Sequence, residues 1–245
     1  MSGELADEHR DAAWLAQLAG RALLELRAGP SDARDIGSAG DRLAHRLIVG
    51  ELNRLYPDDD VRSEEGLEHV SGDGRLWIVD PLDGTREFSE LGRVDWAVHV
   101  ALWQSGDIVA GAVALPAQGI TLATPDVPSP PVGPSSPRIV VSRTRPPEIA
   151  LEVRDRVGGT LVEMGSAGAK VASVVQGVAD VYVHAGGQYE WDNAAPVAVA
   201  WAAGLHATRI DGSPLKYNQP DPLLPDLVVC RRELADAVLA VTASR

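Results

Sequence analysis

Apolar residues recur at helical spacing in the first quarter of the chain. Residues 12–26 place an apolar side chain every three or four positions, which predicts an amphipathic helix. A second helix is predicted over residues 41–56, with Pro57 just beyond it. The polar segment between them, residues 29–40, is predicted to form a loop.

Short apolar runs bounded by turn residues predict strands farther along. The first covers residues 76–79, and residues 96–103 and 108–115 read as two strands joined by a turn at residues 104–107. From residue 139 onward predicted strands alternate with predicted helices: strands at 139–142, 160–164, 180–184, 205–210 and 226–230, helices at 148–157, 167–176 and 193–203, and a final helix. This order predicts a layered α+β or α/β fold of alternating helix and sheet layers.

The segment at residues 126–137, DVPSPPVGPSSP, is rich in proline, serine and glycine. It is predicted to be a linker or an exposed loop. We therefore expect an N-terminal half at residues 1–125 that carries the chemistry described below, and a C-terminal half at residues 138–245 that completes the site.

Bulk properties exclude several functional classes. The formal net charge of −13 over 245 residues, without a basic stripe, argues against a nucleic-acid partner. No apolar run is long enough for a membrane helix, so no membrane partner is expected. The acidic N-terminus lacks the pattern of a secretory signal, and a single cysteine, Cys230, cannot form an internal disulfide. A reducing cytoplasm is the expected location.

The strongest chemical signal is the segment from Asp80 to Thr85, D-P-L-D-G-T, directly after the first predicted strand. Pro81 fixes the turn, so that Asp80 and Asp83 can converge on one point. Gly84 leaves the following backbone amides open to an anion. Two carboxylates beside free amides suit Mg²⁺ held against a phosphate. The alternative is an aspartate-rich turn that caps a helix.

Two further acidic positions add to this segment. Glu64 precedes Glu65 and Gly66, a pattern that is typical of solvated charge when it stands alone. Asp192 opens an apolar helix, where it could serve as an N-cap. The order Glu64, Asp80 and Asp83, then Asp192 is far more specific than any one piece.

These motifs, E-E, W-I-V-D-P-L-D-G-T and W-D-N-A-A, resemble those of the inositol monophosphatase superfamily of lithium-sensitive, Mg²⁺-dependent phosphatases. The resemblance covers most of the chain and implies that family's fold and a homodimer. It implies that two or three Mg²⁺ ions are ligated by four carboxylates and one carbonyl, those of Glu64, Asp80, Leu82, Asp83 and Asp192.

The resemblance also implies catalytic roles for Thr85, Asp41 and Glu64. Thr85 would orient and deprotonate the attacking water with Asp41 as its hydrogen-bonded partner, and the amides of Gly84 and Thr85 would hold the phosphate. The sequence departs from the family before the second helix, where the usual Thr-x-Ala-Asp and an upstream lysine are absent. Asp41 is therefore either the matching acid or a plain N-cap.

The resemblance implies that the substrate is a small phosphorylated metabolite. Arg86-Glu87-Phe88 and residues 214–218 resemble the branch that acts on 3′-phosphoadenosine 5′-phosphate, although residues 214–218 could equally form a surface turn. The loop Gly165, Ser166 and Ala167 resembles the one that lines the sugar side of the site. His184 stands where inositol phosphatases place a glutamate that holds ring hydroxyls.

The expected function is therefore 3′(2′),5′-bisphosphate nucleotidase activity in sulfate assimilation. The alternative is an inositol 1-phosphate or fructose 1,6-bisphosphate phosphatase with the same metal site. A third hypothesis, a non-catalytic sensor of Mg²⁺ or nucleotide, is disfavoured because Thr85 and every predicted metal carboxylate are present.

Overall fold

The structure is a computed structural model, and it describes residues 5–29, 36–68, 74–144 and 146–243. Its helices are α1 Ala6–Ala28, α2 Ile36–Leu55, α3 Thr85–Ser89, α4 Glu148–Val157, α5 Ala167–Val175, α6 Glu190–Ala202 and α7 Ala235–Thr242. Its strands are β1 Asp60–Ser63, β2 Gly66–Glu68, β3 Arg75–Asp83, β4 Ala97–Gln104, β5 Asp107–Leu115, β6 Ile120–Ala123, β7 Arg138–Ser142, β8 Thr160–Met164, β9 Val181–Tyr189, β10 His206–Thr208 and β11 Leu223–Cys230.

The strands form two sheets. The first has six strands in the order β2-β1-β3-β4-β5-β6, and every neighbouring pair is antiparallel except β1 with β3. The second has five strands in the order β10-β11-β9-β7-β8, in which β7 runs parallel to β8 and β9. Residues 126–137, which contain no helix or strand, connect the first sheet to the second.

Three apolar clusters define the layers between these elements. Helices α1 and α2 cover one face of the first sheet, α5 and α6 lie between the two sheets, and α4 and α7 cover the far face of the second. Both sheets are therefore covered on both faces, which explains why their strands are almost continuously apolar. The predicted alternation of helix and sheet layers is confirmed.

Side-chain alternation along β3 explains how one strand serves two layers. Trp77 and Val79 pack under α1 and α2, whereas Leu76 and Ile78 face the central helices. Successive residues of a strand point to opposite faces, so Asp80 continues the central row. The pattern thus directs the first predicted metal ligand into the layer between the sheets.

The predicted loop at residues 29–40 is wrong at its C-terminal end. Helix α2 begins at Ile36, and residues 30–35 lie outside the described part of the chain. Ile36, Gly37 and Gly40 are buried there, because tertiary packing overrides the weak helix propensity of the two glycines. The strands β2 and β6 had no counterpart among the predicted elements.

Within the described ranges, no helix combines the length and the apolar character needed to cross a lipid bilayer.

Candidate active site

The end of β3 brings carboxylates together. The pairing of β3 with β4 shifts register between Asp80 and Asp83, so the strand bulges at Pro81 and both aspartates reach the same region. Asp192, in the first turn of α6, joins them, and one carboxylate oxygen of each residue lies within 4.8 Å of the others. Residues that are 112 positions apart in the sequence thus form one acidic cluster.

Asp83 is held by donors from another part of the chain. Its carboxylate accepts hydrogen bonds from Ser166 Oγ at 2.5 Å, from the Ala167 amide at 3.1 Å and from the Gly168 amide at 2.6 Å. His99 Nε2 lies 3.3 Å away. Burial alone would raise the pKa of Asp83, but His99 and Ser166 lower it to about 2. Asp83 is therefore ionised at neutral pH.

The neighbouring acids are shifted the other way. Burial raises the pKa of Asp80 well above its ordinary value, and the charges of Glu64 and Asp83 raise it further. Burial and Asp83 raise the pKa of Asp192 to about 6. These raised pKa values result from burial and from the mutual repulsion of neighbouring carboxylates. A hard divalent cation, which prefers oxygen ligands, would stabilise the ionised carboxylates. The donor set therefore fits Mg²⁺.

Glu64 lies just beyond β1, where part of its side chain is open to solvent and its carboxylate faces the acidic cluster. Burial and then the charges of Asp192, Asp41 and Asp83 raise its pKa to about 7. The structure thus places Glu64 beside the acidic group that the sequence order predicted.

Thr85 and Asp41 are brought together by the packing of α2 against α3. Thr85 Oγ1 lies 3.4 Å from Asp41 Oδ1 and 3.2 Å from the Leu82 carbonyl oxygen. Asp41 is the sixth residue of α2, so its interpretation as an N-cap is wrong. Burial and the charge of Glu65 raise the pKa of Asp41 to about 6. A carboxyl group poised in this range can exchange a proton with the Thr85 hydroxyl at neutral pH.

Asp192 is not the N-cap itself, because Tyr189 precedes α6, but it caps this helix as the third helical residue of a capping box. The Asp192 carboxylate accepts a hydrogen bond from the Tyr189 amide at 2.7 Å. This bond fixes one carboxylate oxygen against the backbone.

Glycines allow two close approaches at the site. Gly84 has φ of +87°, a conformation that favours glycine, and a Cβ there would lie 3.0 Å from the Ser166 Cβ. A Cβ at Gly168 would lie 1.9 Å from His99 Nε2. These contacts place the predicted loop of Gly165, Ser166 and Ala167 directly against the end of β3.

A cleft of about 380 Å³ opens beside the acidic cluster, a size within the range of small-molecule sites. Ser166, Ala167 and His184 line it together with the carboxylates Glu64, Asp83 and Asp192, whereas Asp80, Gly84, Thr85 and Gly165 are not among the lining residues. The motifs did not single out Lys170, Gln188 or Tyr189, which also line it. Lys170 Nζ donates to the carbonyl oxygens of Gly165 and Ser166 at 3.1 and 2.7 Å.

The segments 86–88 and 214–218, which resembled the branch that acts on 3′-phosphoadenosine 5′-phosphate, pack against other parts of the protein. Glu87 is buried and accepts a hydrogen bond from Arg143 at 2.8 Å, and Phe88 lies in the core under α1 and α2. Leu215 and Tyr217 are buried in the central core, and residues 214–218 lie outside the set that lines the cleft. Residues 214–218 are thus neither a plain surface turn nor a wall of the cleft.

The fold and the sequence profile show the family to which the chain belongs. The fold is that of the inositol monophosphatases: the structure of inositol monophosphatase II from Staphylococcus aureus superposes with a TM-score of 0.81 at 20% identity, over 97% of this chain and 96% of that one. The sequence profile of the inositol monophosphatase family matches residues 10–126 and 136–244. The chain belongs to the inositol monophosphatase family, and the predicted family is confirmed.

Sequence relatives add names within that family. A protein of Mycobacterium leprae called 3′-phosphoadenosine 5′-phosphate phosphatase is 49% identical over 94% of this chain and 91% of its own length. The 3′(2′),5′-bisphosphate nucleotidase CysQ of Escherichia coli K12 is 30% identical over 76% of this chain and 81% of its own length. The predicted enzyme class, a phosphoric monoester hydrolase, is confirmed by the family and by these relatives.

Proposed function

We propose that this enzyme hydrolyses the 3′-phosphate of 3′-phosphoadenosine 5′-phosphate with the help of Mg²⁺. The observation that carries the proposal is the convergence of Asp80, Asp83 and Asp192 at a cleft that also contains a buried ammonium group, that of Lys170. The naming of the mycobacterial and enterobacterial relatives supports the same substrate.

The metal ligands proposed are the carboxylates of Glu64, Asp80, Asp83 and Asp192 and the carbonyl oxygen of Leu82. Bound Mg²⁺ supplies Lewis-acid polarisation of the phosphate and a nucleophile from water at neutral pH. Hydrogen bonds from Ser166 and the start of α5 hold Asp83 in one orientation, so this ligand needs little reorganisation when a cation enters.

Thr85 and Asp41 are proposed to handle the proton of the attacking water. The Thr85 hydroxyl accepts the proton from the water and passes its own to Asp41, and the 3.4 Å separation is compatible with this transfer once the complex tightens. The amides of Gly84 and Thr85 are proposed to hold the phosphate. Gly84 supports this role because its positive φ turns the chain away from β3 at that point.

Lys170 supports a substrate with a second anionic group. Its ammonium is buried, it lines the cleft, and two carbonyl oxygens hold it in place. Burial lowers the pKa of the Lys170 ammonium, and the nearby carboxylates of Asp83 and Glu87 offset this only in part. An incoming phosphate would compensate this charge, whereas an uncharged sugar ring would not.

The substrate test is phosphate release from 3′-phosphoadenosine 5′-phosphate, inositol 1-phosphate and fructose 1,6-bisphosphate, each with Mg²⁺ present. We expect the highest kcat/KM for the nucleotide. A large preference for inositol 1-phosphate or fructose 1,6-bisphosphate would refute the substrate assignment and favour the alternative function.

The site test is Asp83→Asn, which keeps the shape of the side chain and removes the charge. Turnover should fall by far more than about tenfold, because a lost metal ligand removes the source of charge stabilisation. The matched control is Asp107→Asn, the same change at an exposed residue of the β4–β5 turn, which should retain wild-type turnover. Near-normal turnover in Asp83→Asn would contradict the metal assignment.

Further properties are proposed from the family. They are two or three Mg²⁺ ions per site, inhibition by lithium, a homodimer and a cytoplasmic location. Metal titration by calorimetry, lithium in the phosphate-release assay, light scattering and cell fractionation test them in turn. A monomer by light scattering would refute the dimer without touching the site assignment.

A further inference from the structure

Beyond the acidic cluster, the cleft has an aromatic lining. Strand β9 and the start of α6 contribute Tyr182, His184, Tyr189 and Trp191 to it. None of these rings belongs to the groups proposed to bind the phosphate. Their presence in the cleft therefore concerns another part of the ligand.

Tyr189 and Trp191 form a stacked pair. Their ring centroids are 4.7 Å apart and the planes differ by 9°. Tyr189 is nevertheless 45% exposed. Because Trp191 covers one face of the phenol ring, the exposed area belongs to the opposite face and the edge. The cleft thus offers an aromatic surface that a second ring backs at stacking distance.

The backbone of Tyr189 is fixed to the acidic cluster. Its amide donates to Asp192 Oδ2 at 2.7 Å, and its carbonyl accepts from Asn193 Nδ2 at 3.2 Å. Because Tyr189 is hydrogen-bonded to Asp192, a predicted metal ligand, its ring can contact a molecule whose phosphate lies at the acidic cluster. Its position is set by the same turn that sets Asp192.

A neighbouring side-chain amide in the cleft lining has an unpaired oxygen atom. Gln188 lines the cleft, is only 6% exposed, and donates from Nε2 to the Tyr182 hydroxyl at 3.1 Å. The other end of its amide, Oε1, has no hydrogen-bond partner. Buried polar groups are normally paired, and Oε1, which is itself buried, could pair with a ligand once the Gln188 side chain turned toward the cleft.

We infer that Tyr189 is a specificity-determining residue, on whose outer face the purine base of the substrate stacks. The inference rests on the proposed nucleoside bisphosphate substrate and names the residue that binds its base. Stacking on an aromatic ring recognises any base and contributes nothing for a polyol or a bare sugar phosphate. Tyr189 would thereby separate nucleotides from other phosphate monoesters.

The test compares two substrates that differ only in the base. Phosphate release is measured with 3′-phosphoadenosine 5′-phosphate and with ribose 3,5-bisphosphate, for wild type, Tyr189→Leu and Tyr189→Phe. Tyr189→Leu should lower kcat/KM for the nucleotide by about 5-fold to about 150-fold, mainly through KM, the range expected for one base–aromatic stack. It should leave the base-free substrate nearly unchanged, and Tyr189→Phe should resemble wild type on both.

The matched control is Trp201→Leu, which removes a similarly exposed ring, 41% exposed, at the far end of α6. It should affect neither substrate. Equal losses on both substrates in Tyr189→Leu, or a loss in Tyr189→Phe as large as in Tyr189→Leu, would overturn the inference. Wild-type enzyme that fails to hydrolyse the nucleotide would instead refute the proposed function, so the two failures are distinguishable.

Discussion

A buried ion pair ties together the two segments that bring Glu64 and Asp192 to the site. Arg62 Nη1 in β1 lies 2.5 Å from Glu190 Oε2 at the start of α6, and the two side chains are 5% and 2% exposed. Each partner stands two residues before a predicted metal ligand. The change Arg62→Met should therefore affect both the stability of the fold and the geometry of the site.

The expected magnitude follows from the burial. Removing one partner of a buried pair leaves an uncompensated charge and lowers the free energy of unfolding by about 3–5 kcal/mol. At about 2–4 °C per kcal/mol for a chain of this size, Tm should fall by about 6–20 °C. The cost is high because Glu190 would keep only uncharged partners, the backbone amides of Gln219, 2.9 Å away, and of Asn218.

The loss in Arg62→Met should also depend on pH. Burial already raises the pKa of Glu190 above its ordinary value. Without Arg62 the folded-state pKa rises further, so the folded variant binds a proton that the unfolded chain does not. Stability gained by that proton is present at low pH and is lost as pH rises through the folded pKa. The deficit relative to wild type should be larger at pH 8 than at pH 5.

Thermal unfolding followed by circular dichroism, with urea unfolding at 25 °C, measures these changes. The double variant Arg62→Met/Glu190→Gln should recover much of the loss, because it removes both charges and keeps an acceptor for Gln219. The surface control is Arg54→Met, whose partner Glu51 is 32% exposed, and it should cost at most about 1 kcal/mol. Equal destabilisation by Arg62→Met and Arg54→Met would refute the reasoning.

The remaining predictions concern packing, acid stability and metal binding. Gly168→Ala should lower the free energy of unfolding by about 1–3 kcal/mol and reduce turnover, because its Cβ would lie 1.9 Å from His99 Nε2. The control Gly50→Ala should not destabilise the protein, because a Cβ there meets nothing within 4 Å. Equal Tm values for the two variants would contradict this prediction. Burial raises the pKa of Asp180, but hydrogen bonds from Arg138 and Arg231 outweigh this effect and lower it. The ionised Asp180 therefore stabilises the fold at pH values above the ordinary pKa of an aspartate, and this stabilisation is lost as pH falls through the lowered pKa. Urea unfolding should show Asp180→Asn less stable than wild type at pH 7, with the gap narrowing below about pH 4, and a constant gap would refute it. Saturating Mg²⁺ should raise the wild-type Tm, by the equivalent of about 2.7 kcal/mol at 100 times Kd, and an equal shift in Asp80→Asn would count against its role as a ligand.

The layer order and the acidic motif were readable from the sequence because both depend on local patterns. A short apolar run predicted β3, the pattern of apolar residues predicted most of the helices, and Pro81 marked the bulge that turns Asp83 toward Asp80. The resemblance of three short motifs was enough to predict the family. Helix α2 was misjudged at its start, since its glycines are weak helix formers and only burial against the core keeps them helical.

Tertiary structure alone decided which groups surround those carboxylates. No spacing rule connects His99 or Ser166 with Asp83. His99 reaches it through the pairing of β4 with β3, and Ser166 through the packing of the start of α5 against the first sheet, contacts that one sequence does not encode locally. The same holds for the ring of Tyr189, whose place in the cleft depends on the direct junction of β9 with α6. Local sequence fixed the reactive groups, whereas the pKa values and the recognition surface arise only where separate layers meet.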